Sequence, residues 1–125
     1  TSDTWKASKS TAASTKRGDF SKGTGGIAII ESDGLRAEKV YSTSLLAPSL
    51  AVTAAKRYVV SFDTHYRQGQ SPQTADVTIT FDKGDAVARS YTADTLNQGA
   101  SVEFTAPAGA TMAQVSWNYR STANN

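Results

Sequence analysis

Between Lys56 and Arg67 the chain reads KRYVVSFDTHYR, and its side chains alternate with a period of two. Tyr58, Val60, Phe62, Thr64 and Tyr66 fall on one side, and Val59, Ser61, Asp63, His65 and Arg67 on the other. A helix would bring residues three and four apart onto one face, so this pattern predicts a strand with its first set turned to a core. The alternation recurs downstream. In ADVTITF (75–81), Val77, Ile79 and Phe81 point inward and Asp76, Thr78 and Thr80 outward. SVEFTA (101–106) turns Val102 and Phe104 inward. In MAQVSWNYR (112–120), Ala113, Val115, Trp117 and Tyr119 share the inner face, leaving Gln114, Ser116, Asn118 and Arg120 on the outer one.

Turn chemistry separates these segments. GIAIIES (26–32) is an apolar strand bounded by KGTGG and SDG. KVYSTSLLAPSL (39–50) is an extended segment broken at Pro48, since a proline cannot donate to a ladder. AVARSY (86–91) returns across DKGD (82–85) as a hairpin partner, PAGA (107–110) is a tight turn, and ADTLNQGA (93–100) reads as a loop. Strands recurring about every ten residues predict an all-β fold. The expected form is a two-sheet antiparallel β-sandwich, jelly-roll-like, with about seven to eight strands; a small barrel is the alternative. The 125 residues fit one domain, a size that buries roughly 65% of the unfolded chain's surface. Residues 1–18 are polar and without period, an expected irregular basic segment in which Trp5 is an anchor or part of a binding surface. Residues 19–125 are expected to form the sandwich module.

With no cysteine, disulfides and thiolate zinc sites are excluded. The net charge is +2, unevenly spread. Residues 1–22 hold five basic against two acidic side chains, a local +3, and the remainder eight against nine, a local −1. Nucleic-acid binders place a basic face on a folded element, so no nucleic-acid partner is expected. No apolar run approaches the ~18 residues of a membrane helix. No signal peptide is present, so a secreted protein of this sequence would be a mature or excised form. Abundant Ser, Thr, Ala and Gly with few Leu resembles the make-up of secreted bacterial β-modules.

From about Asp19 to Asn125 the chain resembles a β-sandwich accessory module of large secreted actinobacterial metallophosphoesterases and other extracellular bacterial multidomain proteins. The segments that carry the resemblance are GDFSKGTGGIAIIESDG, LLAPSLAV, VVSFDTHYRQ, ADVTITFDKGD, LNQGASVEFTAPAGATMAQVSWNY and the closing NN. The resemblance implies a galactose-binding-like sandwich, secreted, with sugar or surface attachment as the function by analogy of fold. In that pattern the asparagines lead into an aromatic-rich final strand, which this sequence lacks. A missing strand would leave an open sheet edge for another chain or domain to pair with.

His65 is the only histidine, too few for the metal-ligand cluster of a phosphoesterase. Asp63 and His65 lie two apart on one strand, about 7 Å by strand rise, too far for the direct hydrogen bond of a catalytic triad. The chain is therefore expected to be non-catalytic, with any phosphoesterase centre elsewhere in a parent protein. Asp33 in ESDG (31–34), with Asp82 and Asp85 in DKGD, offers oxygen ligands for a structural calcium; Asp-Gly turn chemistry is the stronger reading of both stretches. No other cofactor is implied. Asp63, His65 and Arg67 form a polar row on one face of their strand, joined by Ser116, Asn118 and Arg120 if strand 112–120 neighbours strand 56–67. Such a row suits sugar hydroxyls, with arginine bidentate to an acidic group. Cross-strand pairing is its purely structural reading. Most aromatics fall on the inward parity, leaving Trp5, Tyr41 and Tyr91 as candidates for a stacking platform. Carbohydrate or a cell-surface polymer is the expected partner; an assembly domain pairing its open edge is the alternative.

Overall fold

A computed structural model describes residues 2–9, 26–31, 41–66 and 73–121. The described residues form nine strands and no helix. In order these are β1 (Ser2–Lys9), β2 (Gly26–Glu31), β3 (Tyr41–Leu46), β4 (Leu50–Ala51), β5 (Arg57–Tyr66), β6 (Gln73–Phe81), β7 (Val87–Tyr91), β8 (Thr95–Thr105) and β9 (Met112–Ser121). The larger sheet runs β3-β9-β6-β7, with β4 added to the start of β9. The smaller sheet pairs β5 with β8. β1 and β2 form a separate antiparallel ribbon, with β1 alongside β3. Every pairing is antiparallel.

The larger and smaller sheets pack face to face, as a β-sandwich does. Val77 and Ile79 of β6 and Ala113 and Val115 of β9 meet Val102 and Phe104 of β8 in a buried core. Aromatic side chains bridge the layers. Phe81 lies 5.5 Å from Phe104, and Phe62 meets Trp117 edge-on at 5.7 Å. Within the smaller sheet, Tyr58 stacks on its cross-strand partner Phe104 at 5.6 Å. Each such pair is worth ~0.5–1.5 kcal/mol beyond its area. The inward residues are those the alternation predicts for residues 57–63, 75–81, 101–106 and 112–120.

Two segments differ from the sequence expectation. Residues 2–9, expected to be irregular, are a strand paired with β2 from Ser2 opposite Glu31 to Lys9 opposite Gly26. The polar, aperiodic sequence of this strand carries no alternation from which the pairing could be read. Residues 95–100, expected as a loop, are the first half of β8 and pair with β5 from Tyr66 opposite Thr95 to Phe62 opposite Ala100. Here too the ladder is filled by backbone groups, while Gln98 and Gly99 add no apolar pattern.

One end of the sandwich is closed by three connections. The 106–111 turn carries the chain from β8 in one sheet to β9 in the other. The β4–β5 connection holds it by Val52 N–H to Thr111 O (3.0 Å), Ala55 N–H to Ala106 O (2.8 Å) and Ala106 N–H to Lys56 O (3.0 Å). The β6–β7 turn presses on it: Gly84 has φ +93°, and a Cβ there would overlap the Pro107 ring. Only glycine meets both the conformation and the approach.

Ile79 is fully buried in an inner strand, and its neighbour Thr80 is exposed on the outer face. Ile79→Ala is expected to cost about 2–5 kcal/mol and Thr80→Ala within about 0.5 kcal/mol, by urea denaturation. Equal losses would contradict the assigned facing of β6.

Candidate functional site

The outer face of the larger sheet carries a polar network built by register. Ser44 of β3, Asn118 of β9 and Asp76 of β6 lie directly abreast, with Ser90 of β7 next in the row. Residues opposite one another on antiparallel strands point to the same side, so these side chains meet. Asn118 is the hub. Its Oδ1 accepts from Ser44 Oγ at 2.6 Å, and its Nδ2 donates to Asp76 Oδ1 at 2.6 Å. Longer bonds of 3.3 Å run from Nδ2 to Thr78 Oγ1 and Ser116 Oγ. Thr78 Oγ1 also donates to Asp76 Oδ1 at 2.8 Å. One amide thus ties three strands together. Both bonds to Asp76 fall on Oδ1; among the described residues none falls on Oδ2. One row along, Arg120 stands between Ser42 and Thr74, and its exposed side chain has no hydrogen-bond or ion-pair partner among the described residues.

The sequence-predicted row does not assemble as one surface. β5 pairs with β8, not β9, so the condition for Asn118 and Arg120 to join Asp63 and His65 fails. Phe62 and Trp117 touch across the core, which turns their outward neighbours Asp63 and Asn118 to opposite faces of the sandwich. The β5 row is itself uneven. Asp63 is exposed above Gly99, whereas Thr64, His65 and Tyr66 are all half-buried. The register slips there, Thr64 facing Gln98 and Tyr66 facing Thr95, so β8 holds one residue more than β5. A bulge of this kind twists the pair and ends simple alternation. Elsewhere on the smaller sheet's outer face, Arg57 and Glu103 form an ion pair at 2.8 Å, both side chains exposed. Arg67 lies outside the described residues.

Tyr91, a candidate platform residue, instead faces inward. It packs against the core, its ring 6.4 Å from Tyr66 across the sheets. Burial raises the pKa of both phenols, Tyr119 adding to the effect at Tyr66. Tyr119 O–H donates to Gln73 Oε1 at 2.8 Å. The side chains of Trp5 and Tyr41 lie outside the described residues.

Asp82, one of the candidate calcium ligands, is engaged by the neighbouring turn. Asp82 Oδ1 accepts from Thr111 N–H at 2.9 Å, Met112 N–H at 3.1 Å and Lys83 N–H at 3.2 Å. Its Oδ2 accepts from Thr111 Oγ1 at 2.6 Å. Both oxygens therefore serve the turn chemistry at the closed end of the sandwich. Among the described residues, no three acidic or histidine side chains converge. Asp33 lies outside the described residues. No helix of the described residues is long and apolar enough to cross a membrane.

The chain matches no family model, no curated protein and no solved structure.

Sequence reasoning placed Asn118 and Arg120 on an outward face but missed Ser44, Asp76 and Thr78 as their companions. Their outward parity was readable; the register that sets them beside Asn118 was not.

Hydrogen bonds from Thr111 and Met112 lower the Asp82 pKa from 3.8 to about 2. A depressed carboxylate contributes stability above its unfolded pKa and loses it as pH falls through the folded value. The urea midpoint of the wild type is expected to drop between about pH 4 and pH 2. Asp82→Asn should be less stable at pH 7 and show a shallower drop over that window. Parallel curves for the two proteins would contradict the clasp.

Proposed function

We propose that this chain is a non-catalytic accessory module of a secreted bacterial protein, and that it holds a hydroxyl-rich polymer, carbohydrate or cell-surface material, against the outer face of its larger sheet. The observation that carries this reading is the network centred on Asn118. It fixes a flat row of hydroxyl, amide and carboxylate groups before any ligand arrives, and preorganised groups lose little entropy on binding. Asp76 Oδ2 can accept from a ligand hydroxyl, and Arg120 can donate to a ligand oxygen. Asn118, with its amide committed to neighbours, acts as the positioning residue. Catalysis is disfavoured by the single histidine. The resemblance of residues 19–125 to accessory sandwiches of extracellular proteins supports both the secreted setting and the attachment role.

The face is short of aromatic rings, so binding rests on hydrogen bonds and not on stacking. Modest affinity for one sugar follows, with strength gained from repeated engagement along a polymer or from several modules in one protein.

Pull-down on a panel of soluble and insoluble polysaccharides is the direct test. Retention is expected for the wild type and for His65→Ala, whose site is on the smaller sheet. Asp76→Ala and Asn118→Ala should weaken retention roughly tenfold, as the loss of a hydrogen bond to a charged group does. Retention lost in His65→Ala but kept in Asn118→Ala would move the site to the other sheet, and no retention on any polymer would overturn the reading.

A further inference from the structure

We infer that the ligand is an acidic glycan, a polymer of uronic-acid type, and that Arg120 reads its carboxylate. The inference rests on the polymer-binding reading of the larger sheet's outer face and names its substrate class.

Two charged side chains stand on the outward positions of β9 and β6, and their states differ. The Asp76 carboxylate is already compensated by the Asn118 amide at 2.6 Å and the Thr78 hydroxyl at 2.8 Å. Arg120 is exposed and has no partner among the described residues, not even Asp76 diagonally across the ladder. Among the described residues, the charge left without a counterpart on this face is thus a cation. The smaller sheet shows the contrasting arrangement, since its outward Arg57 is paired with Glu103 at 2.8 Å.

The surroundings of Arg120 fit a sugar acid. Ser42 and Thr74 flank it on the neighbouring strands, and the row of Ser44, Asn118, Asp76 and Ser90 begins about 7 Å along β9, two residues of strand rise. A guanidinium takes a planar carboxylate through two parallel hydrogen bonds. With the carboxylate on Arg120, hydroxyls of the same or the next sugar reach Asp76 Oδ2, the oxygen that no described residue uses. A densely sulfated polymer is a poorer match, because its further anions would be brought up to the Asp76 carboxylate. One carboxylate per sugar with free hydroxyls between suits one cation and a row of neutral groups.

Affinity electrophoresis of the 125-residue chain in gels containing polygalacturonate, dextran or dextran sulfate tests the assignment. Polygalacturonate should retard the protein most, and added salt should weaken the effect. Arg120→Ala should weaken it roughly tenfold or more; Arg120→Lys, keeping the charge without the fork, should fall between. Urea midpoints of both variants matching the wild type would show that the fold is intact, and Arg57→Ala should bind as the wild type does. Dextran retarding the protein as strongly as polygalacturonate, with Arg120→Ala unchanged, would overturn the acidic-glycan assignment while leaving polymer binding standing. Strongest retardation by dextran sulfate would overturn the carboxylate assignment. No retardation by any of the three would overturn both.

Discussion

Asp82 accepts hydrogen bonds from Thr111 and Met112, at the point where the chain passes from the smaller sheet into the larger one. The crossing turn is short, bounded by Ala106 and Ala110, both about fully buried. Three further backbone bonds from the β4–β5 connection hold it from the other side. That joint lies where β9 enters its sheet, pairing with β4 and β6. β9 is then the strand between β3 and β6, and every contact of the polar face is measured from it.

The two outer faces of the sandwich have different chemistry for a physical reason. On the smaller sheet, Arg57 and Glu103 neutralise one another, and Val59 and Ser61 add little that could hold a ligand. An exposed pair of this kind is worth little to stability, yet it cancels the charge locally. On the larger sheet, short polar side chains bond among themselves. Its inner side is a packed core of Val77, Ile79, Ala113 and Val115. A rigid support beneath an ordered polar row is what holds binding groups at fixed separations.

The sequence made the facing of the strands readable because a period of two maps directly onto burial. Tyr58, Val60 and Phe62 turn inward as a group, as do Val77 with Ile79 and Val102 with Phe104. Neighbour relations were not readable. Nothing local in MAQVSWNYR says that β9 lies between β3 and β6 and not beside β5; that follows from the crossing at residues 106–111. The first half of β8 was hidden because Thr95, Gln98 and Gly99 offer no apolar alternation, and β1 was hidden in the same way. Asp82 was recognisable as a turn residue, but its partners stand 29 and 30 residues away, beyond any local signal. Asp63 and His65 drew attention by their spacing, whereas the bulge that half-buries His65 depends on the opposite strand.

The central claim is that ligand meets the outer face of the larger sheet. Amide chemical shifts of the isotopically labelled chain, followed during titration with oligogalacturonate, locate contact without any substitution. The expected result is a continuous patch of shifts over Ser42 and Ser44, Thr74 and Asp76, and Asn118 and Arg120, with Asp63, Glu103 and their neighbours unmoved. Shifts confined to β5 and β8, or none at saturating oligosaccharide, would contradict it.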